Sequence, residues 1–445
     1  MPWPAGSNWR SAKPRPLCGG RRLADPASPG PDPRTEYAVS PAKTTPQRAR
    51  LLLIIAFAVT GIVTFSWMAR IPSVMSALSL TTPQFGAVLL VGSVGSVVTV
   101  VASGGLLNRF GTVRLFGFGA LINAAGIALM GIGPALASVW LFTAGIIISG
   151  IGGALLNVSV NLESTRIEQA LGRTVIPHFH AGFSIGAVIG SLIGAGSSSL
   201  SIPVGVLLVA VAALSGGIRL AALWAGLVLP GRRLVTRTGG SRLTKLRGEL
   251  TAWTEPRTIQ IALVAFVAAF SEGVANNWLT VSFVQDFAEP EAVAGLALGV
   301  FIAAMTVLRI AGSRLIDRIG RSRSLQLSLA SSLVGLTLFG LADSAGWAVV
   351  GTALWGLGAA LCFPIAVAAA SDEPSLAAGR VSVVASMGSI AGLVAAPMVG
   401  FLAAALGAQH AILVVLIGLL LSLAVSRRVD PPGVRLPLRE ETSRP

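Results

Sequence analysis

The sequence predicts an all-α membrane protein of about twelve transmembrane helices, arranged as two pseudo-symmetric bundles of six. Of the 445 residues, 53% are hydrophobic and only 11% are charged, whereas soluble domains carry roughly 25% charged residues. Apolar runs of about 20 residues, each long enough to cross a bilayer, recur along the chain. Basic residues fall in every second connection between these runs, and several sequence landmarks of the first half return in the second.

The apolar runs place twelve predicted spans. In chain order they cover residues 51–74, 83–107, 113–132, 139–160, 174–195, 202–229, 259–284, 292–312, 325–341, 348–370, 381–405 and 411–425. The polar pair Asn108 and Arg109 separates the second span from the third. The runs are too numerous and too long for the cores of soluble domains.

Lysine and arginine concentrate in alternate connections, which is typical of the cytoplasmic side of a membrane protein. The connections after even-numbered spans hold Arg109, Arg114, Arg166, Arg173, Arg318, Arg321, Arg323 and Arg380, besides a basic central linker. The connections after the third, fifth, seventh, ninth and eleventh spans hold neither lysine nor arginine. We therefore expect both termini to be cytoplasmic and the protein to lie in a bacterial inner (plasma) membrane. The net charge of +15 then reflects topology, so no nucleic-acid partner is implied.

Composition divides the chain into five predicted parts. The N-terminal stretch is rich in Pro, Gly and Arg and has no apolar run, so we expect it to be disordered. It is either a regulatory tail or a leader that does not belong to the native product. The parts are a basic cytoplasmic tail (1–48), an N-terminal six-helix bundle (49–229), a basic cytoplasmic linker (230–257), a C-terminal six-helix bundle (258–426) and a cytoplasmic tail (427–445).

Landmarks of the first half return in the second at offsets near 206–211 residues. The run Gly104–Gly111 corresponds to Ser313–Gly320, and Trp67 corresponds to Trp278. Glycines of the fifth span correspond in the same way to glycines of the eleventh. Parallel repeats of six helices indicate a transporter whose substrate binds between the halves.

Because of this repeat and its loop motifs, the sequence resembles the major facilitator superfamily over nearly all of residues 50–425. Gly104–Arg114 is similar to the superfamily's loop between helices 2 and 3, and Ser313–Arg323 to its second-half copy. Four blocks resemble the MosC/YbjJ-like branch: Trp67–Pro72, Asn157–Asn161, Phe179–Ser184 and Ser271–Trp278.

The resemblance implies the major facilitator fold and transport of sugar-like or inositol-derived solutes. The chain departs from the pattern at three positions. Asn108, Asn157 and Asn277 stand where an acidic residue is usual. These departures weaken any transfer of a proton or cation site from the family.

Glu272 is an acidic residue inside the seventh predicted span. At about 1.5 Å per residue it lies roughly 20 Å along the helix, past the midplane. Ionisable groups at this depth usually face a cavity or a partner, and desolvation favours the protonated carboxyl. Two interpretations remain open: Glu272 exchanges a proton during transport, or it is held permanently by Arg70 and fixes the first span against the seventh.

Residues on the first and seventh spans are candidates for solute contact. Arg70 either binds solute through its guanidinium group or extends to the outer membrane surface. Trp67 and Trp278 occupy matching positions and either stack on a sugar ring or mark the membrane interface. Asn276 and Asn277 are adjacent, so at most one faces the solute. The resemblance favours Asn277.

Three polar residues on the fourth and fifth spans are candidates for the inner part of the solute pathway. Asn157 and Asn161 are four residues apart and therefore share one face of a helix. His180 is expected at a comparable depth. The alternative is that these side chains only join neighbouring helices through hydrogen bonds.

The two loop motifs predict a gate at the cytoplasmic side. We expect Asp317 to approach the N-terminus of a facing helix and to hold the halves together when that side is closed. The alternative is a charged loop that only sets topology. The predicted gating residues are Asn108, Arg109, Gly111, Asp317, Arg318 and Gly320.

The sequence argues against enzymatic chemistry. There is no Gly-Lys-Ser/Thr phosphate loop, which speaks against direct ATP hydrolysis. Glu272 and His180 belong to opposite halves, and no His–Asp or Cys–His cluster is apparent. Cys18 and Cys362 lack metal-ligand spacing. We expect no metal and no cofactor.

These observations predict a secondary active transporter of a small polar solute that works by alternating access in the lipid bilayer as a monomer. Proton coupling, as in a symporter, is the form of this prediction that uses Glu272. Two alternatives remain: a drug or metabolite efflux antiporter of the same fold, and a sensor that binds solute without moving it.

Overall fold

The computed structural model describes residues 45–229, 252–373 and 376–431, and all regular secondary structure in these ranges is helical. The first half contains α1 (Pro46–Met68), α2 (82–110), α3 (112–135), α4 (Val139–Leu171), α5 (Ile176–Ser199) and α6 (Val204–Trp224). The second half contains α7 (Pro256–Gln285), α8 (Glu291–Ile319), α9 (Arg321–Gly340), α10 (Ala345–Ala370), α11 (Ala377–Leu406) and α12 (Ala408–Val429). A short helix, Ile71–Ala77, follows α1.

The turn between α2 and α3 has the same backbone conformation as the turn between α8 and α9. α2 and α3 form one run, Thr82–Ala135, which turns at Gly111 with φ 75° and ψ 166°. Gly320 has φ 84° and ψ 166°. Only glycine adopts this region without strain, since a Cβ would clash with the backbone. The sequence repeat is therefore also a structural repeat.

Ten helical runs in the described part of the chain are long and apolar enough to cross a membrane. One of them is Thr82–Ala135, which supplies two helices because it turns at Gly111. α9 is not among the ten because serines and a glutamine dilute its apolar residues. With α2 and α3 counted separately and α9 included, the helices number twelve, in agreement with the sequence prediction.

The helix boundaries differ from the predicted spans mainly where polar turns extend a helix beyond its apolar run. α4 continues to Leu171, well past the predicted end at 160, and it stops at Gly172 in a left-handed conformation. α1 begins at Pro46, inside the predicted tail, with Thr45 as its N-cap. Most of the predicted tails and of the linker lies outside the described residues.

The helices pack mainly within each half. In the first half α1 packs against α5, and α3 packs against α4 and α6. In the second half α7 packs against α11, and α10 packs against α8 and α9. Between the halves, the main contacts are those of α2 with α11 and of α5 with α8. The described residues thus form two six-helix bundles joined by two pairs of helices.

The bundles meet closely at one end, which we call the Arg70 end. The opposite end carries the two loop motifs, and we call it the Arg109 end. Ser191 on α5 donates a hydrogen bond to the main-chain oxygen of Gly295 on α8 at 2.6 Å. Thr280 on α7 donates to the main-chain oxygen of Met68 at 3.3 Å. Within the described ranges, every hydrogen bond and ion pair between the halves lies toward the Arg70 end. The bundle is closed there and opens toward the Arg109 end.

Glycines allow α5 to approach the backbone of α1 closely. A Cβ added at Gly186 would lie 2.0 Å from the main-chain oxygen of Ala58. Small residues at such contacts let membrane helices pack through van der Waals contact, which replaces the missing hydrophobic driving force. Gly196, on the same helix, has open space where a Cβ would be.

We expect Gly186→Ala to destabilise the protein by about 1–3 kcal/mol, because the methyl group forces α1 and α5 apart. The melting temperature of the purified protein in detergent should fall by several degrees. Gly196→Ala is the matched control and should leave the melting temperature unchanged or slightly higher. Equal melting temperatures for the two variants would contradict this account of the α1–α5 contact.

Candidate solute-binding site

A cavity of about 390 Å³ lies between α1, α3, α4, α5 and α6. Its wall is partly aromatic and partly polar. The polar lining side chains are Thr60, Thr64, Trp67, Asn123, Ser149, Asn157, Asn161, His180 and Arg219. The structure therefore brings together four of the residues that the sequence singled out: Trp67, Asn157, Asn161 and His180.

Asn157 and Asn161 form a polar face on α4. The Asn161 Nδ2 donates hydrogen bonds to the side-chain oxygen of Asn157 at 3.0 Å and to its main-chain oxygen at 2.8 Å. Both side chains are exposed to the cavity. Among the described residues, the Asn157 Nδ2 and the Asn161 Oδ1 have no hydrogen-bond partner. One donor and one acceptor thus remain for a solute.

His180 lies on an aromatic wall of the cavity. Its ring meets the ring of Phe57 edge-on, with centroids 5.5 Å apart, and Phe57 stacks on Phe179 at 5.8 Å. The imidazole itself is exposed. The contact holds the imidazole against the aromatic wall, at the edge of the space that the lining residues enclose.

Glu272 pairs with Arg309 and not with Arg70. The Glu272 Oε2 lies 3.0 Å from an Arg309 Nη, and the Arg309 Nε donates to the main-chain oxygen of Ala360. Both charged side chains are partly open, with exposed fractions of 30% and 32%. The alternative in which Arg70 holds Glu272 is therefore wrong. The partner of Glu272 is Arg309, which belongs to the same half.

The Glu272–Arg309 pair lies in the second half, and neither side chain is among those that line the first-half cavity. The candidate residues for solute contact and this partly open carboxylate therefore belong to opposite bundles. In transporters built from two repeats, the solute binds between them.

Asn276 and Asn277 differ in how their side chains are used. The Asn277 Nδ2 donates to the main-chain oxygen of Gly273 on its own helix at 2.7 Å. The Asn276 Oδ1 is buried and has no hydrogen-bond partner in the described residues. Asn276 follows Glu272 by four residues and shares its helix face. The geometry therefore favours Asn276, not Asn277, for contact with a solute.

Trp278 is a packing residue. Its side chain is fully buried, its indole N–H donates to the main-chain oxygen of Ala396 at 3.1 Å, and its ring meets Phe85 edge-on. Trp67, at the matching position of the first half, lines the cavity. Neither alternative for the tryptophans, stacking on a sugar ring or marking the membrane interface, describes Trp278, because the contact of α2 with α11 at the Arg70 end covers it.

Arg70 belongs to the closed end of the bundle. It is 4% exposed, and its Nε lies 2.7 Å from the Glu291 Oε2. One Nη donates to the Ser197 hydroxyl at 2.8 Å, and the other donates to the main-chain oxygen of Ile202 at 3.1 Å. Neither solute binding nor extension to the membrane surface describes this side chain here. It joins the end of α1 to α5 and α8.

Glu291 is the functional residue that the sequence reasoning missed. Besides Arg70, its carboxylate accepts hydrogen bonds from the main-chain N–H of Ser73 at 2.7 Å and from the hydroxyls of Ser73 and Ser198. One side chain of α8 thus binds the short helix after α1 and the end of α5. The sequence did carry a signal for this pair. Glu291 lies in a connection without lysine or arginine, and Arg70 is the only arginine at the corresponding end of α1.

The predicted gating residues lie apart at the Arg109 end. Asn108 and Arg109 are exposed, and the Arg109 guanidinium lies over the ring of Phe110 at 5.4 Å. Asp317 and Arg318 are exposed and make no ion pair with any residue in the described ranges. The contact expected of Asp317 is not formed in this open conformation and stays a prediction.

Charges near the Arg109 end of the second half pair with each other. Arg380 is almost buried and binds Glu255 at 2.6 Å. Although burial of the Glu255 carboxyl raises its pKa, the hydrogen bonds from Arg380 and Thr258 bring that pKa below its ordinary value. Asp372 binds Arg257 and Arg321. Among the residues that the structure describes, this end of the second bundle is thus held together by its own ion pairs and makes no bond to the first.

Known proteins similar to this chain are membrane transporters. Residues 261–444 match the Major Facilitator Superfamily. An uncharacterised transporter of Sinorhizobium fredii is 27% identical over 73% of this chain and 82% of its own length. An uncharacterised MFS-type transporter of Yersinia pestis is 26% identical, covering 83% and 91%, and the membrane protein MosC of Rhizobium meliloti is 24% identical, covering 86% and 91%.

Solved structures show the same fold. A mutant of the nucleoside transporter NupG superposes with a TM-score of 0.69 at 14% identity, covering 86% of this chain and 98% of that one. A mutant of the Escherichia coli fucose:proton symporter FucP superposes with a TM-score of 0.58 at 17% identity, with the same coverage. The chain is thus a multi-pass membrane protein with the fold of these transporters. Its second half matches the Major Facilitator Superfamily, and the chain as a whole is similar to MosC.

Removal of the Glu291 charge should open the Arg70 end. We expect Glu291→Gln to raise, several-fold, the rate at which a maleimide labels Thr280→Cys, in a background without the two native cysteines. Thr280 is fully buried at this end and its replacement is nearly isosteric. Glu289→Gln removes the same charge two residues away and is the control. An unchanged labelling rate in Glu291→Gln would show that this carboxylate does not keep the end closed.

Proposed function

We propose that the protein is a secondary active transporter that moves a small polar solute, sugar-like or inositol-derived, by alternating access. The observation that carries the proposal is the cavity whose amide, hydroxyl, imidazole and indole groups face the open end of the bundle while a buried ion pair closes the other. A midplane site between two repeats is where such transporters bind their solutes.

The distribution of basic residues supports an orientation. The Arg109 end carries the arginines of the even-numbered connections, so we assign it to the cytoplasm, together with both termini. The bacterial relatives support an inner-membrane location. In this orientation the conformation described above faces inward, and the Arg70–Glu291 pair closes the outer side.

The lining supports a hydroxylated solute. Asn157 and Asn161 supply hydrogen-bond donors and acceptors, and the indole of Trp67 supplies a flat apolar face with a donor at its edge. The neutral amides suit hydroxyl groups, which both donate and accept. Two structural neighbours are named for a nucleoside and for fucose, both of which are hydroxylated.

A binding screen followed by a flux assay tests the proposed function. Purified protein is first heated with sugars, inositols, amino sugars and nucleosides, and a ligand should raise the melting temperature. The same ligand should then enter proteoliposomes that contain the protein and should not enter empty ones. Stabilisation by a bulky lipophilic cation but by no polyol would indicate efflux instead. Binding without flux would indicate a sensor.

For the coupling ion, we propose a proton carried by Glu272. The carboxylate is paired with Arg309 in the inward-facing structure, and 30% of its side-chain surface is exposed. A solute that draws Arg309 toward itself leaves the carboxylate without its counter-ion, and this favours uptake of a proton. A protonated Glu272 in turn frees Arg309. Solute and proton then bind cooperatively because both depend on the same arginine.

We expect Glu272→Gln to abolish accumulation of solute driven by a pH gradient while exchange of internal for external solute continues. The amide cannot carry the proton, but it keeps the size of the side chain. Asp343→Asn, at an exposed carboxylate outside the cavity, is the control and should accumulate solute normally. Full accumulation by Glu272→Gln would reject proton coupling through this residue and leave transport itself intact.

The outward-facing state requires a closed Arg109 end. Rocking of the bundles would break the Arg70–Glu291 pair and bring the two loop motifs toward the other half. We propose that Asp317 then binds the N-terminus of a facing helix, while Gly111 and Gly320 keep the turns tight. Breaking one set of bonds as the other forms would keep the two states close in free energy.

A further inference from the structure

Arg219 is a buried cation in the wall of the cavity. It lies on α6, its exposed fraction is 2%, and it is among the cavity-lining residues. One Nη donates to the Asn123 Oδ1 at 2.7 Å, and the other donates to the Thr60 hydroxyl at 3.2 Å. The Arg219 side chain points inward, toward the cavity where a solute would bind.

The partners of Arg219 are neutral, unlike those of three other arginines. Arg70 is paired with Glu291, Arg309 with Glu272, and Arg380 with Glu255. Arg219 makes no ion pair with any residue that the structure describes. Its charge is therefore balanced by oxygen dipoles alone, although an ionised side chain within a spanning helix is costly without a counter-charge.

The neutral partners hold the guanidinium in a fixed position. The Asn123 Nδ2 donates to the main-chain oxygen of Ser149 at 2.9 Å and to its hydroxyl at 3.1 Å, which turns the Asn123 Oδ1 toward Arg219. The Thr60 hydroxyl donates to the main-chain oxygen of Ala56, so it is free to accept from Arg219. Four helices, α1, α3, α4 and α6, thus orient one cation at the wall of the cavity.

We infer that the cavity recognises an anionic group, a carboxylate or a phosphate, on the polar solute, and that Arg219 is the residue that binds it. The inference rests on the proposed function and narrows its substrate class to acidic sugars, inositol phosphates and their analogues. A guanidinium that is already oriented binds a planar carboxylate or a phosphate through parallel N–H donors, and such charge-assisted bonds are the strong ones. The hydroxyl groups of the same solute bind the asparagines of α4.

The other charges at the cavity fit this assignment. The Glu272–Arg309 pair is neutral as a unit and lies in the opposite half. Nothing among the described lining residues of the first half carries a negative charge. An anion would therefore meet an attractive field at the first-half wall, whereas a neutral solute would leave the arginine without a counter-charge.

Binding of matched pairs of solutes to the purified full chain tests the inference. The pairs are glucose with glucuronate, glucose with glucose 6-phosphate, and inositol with inositol phosphate, and affinity is measured by calorimetry. We expect the charged member of at least one pair to bind about tenfold tighter or more. The uronate and phosphate arms show which anion is preferred.

The variants Arg219→Gln and Arg48→Gln separate recognition from folding. Glutamine keeps a hydrogen-bond donor toward Asn123 and removes the charge. The preference for the anion should therefore disappear, while the neutral solute of each pair binds as before. Arg48 is exposed at the start of α1, and its replacement should change nothing. The inference would be overturned if the wild-type protein preferred the charged solute in none of the pairs. It would also be overturned if Arg219→Gln lost affinity for the charged and the neutral member of a pair to the same extent.

The same variants distinguish this inference from transport itself. If anions bind in an Arg219-dependent manner but no solute crosses proteoliposomes, the anion site stands and the proposed transport fails. If the wild-type protein transports neutral solutes without any preference for anions, and Arg219→Gln transports them equally well, the proposed transport stands and the anion site fails.

Discussion

An ionised side chain within a bilayer has to be paired or has to face water, and this constraint organises the structure. The Arg70–Glu291 pair is nearly buried, with exposed fractions of 5% and 11%, and it joins helices of both halves. In the Glu272–Arg309 pair the arginine side chain is 32% exposed, about six times the exposed fraction of Arg70. This pair lies wholly within the second half. Separation of the bundles would break the first pair, because it joins the two halves. The second pair could open while the bundles stay in place, because both of its residues belong to one half.

The closed end depends on small residues as much as on charge. A Cβ at Gly295 would lie 3.1 Å from the Cβ of Ala195, and a Cβ at Gly86 would lie 3.0 Å from the Cα of Pro397. These contacts bring α5 onto α8 and α2 onto α11 without long side chains between them. A smooth contact of this kind lets two rigid bundles tilt against each other. The carboxylate of Glu291 then adds a bond that is either made or broken, which a smooth apolar surface alone does not supply.

The fold was predictable from the sequence because it depends on features that can be read along the chain. Apolar length gives the helices, and the offset between the two loop motifs gives the repeat, which Gly111 and Gly320 confirm in their backbone angles. The pairing of charges was not predictable, because it depends on which helix faces turn toward each other. Arg70 could reach either glutamate by depth alone. Likewise, the buried position of Arg219 follows from the rotation of α6 about its axis, which an almost uniformly apolar helix does not reveal.

The two halves contribute differently to the site, and this asymmetry has a mechanistic consequence. The residues that line the cavity all lie in the first half, whereas the Glu272 carboxylate lies in the second and is held by Arg309. An anion bound by Arg219 would also attract the Arg309 guanidinium and would compete with Glu272 for it. A neutral solute would draw on that guanidinium only through hydrogen bonds, and therefore more weakly. The charge of the solute would thus determine how strongly its binding promotes protonation of Glu272, so that recognition by one bundle and coupling in the other would be linked through electrostatics.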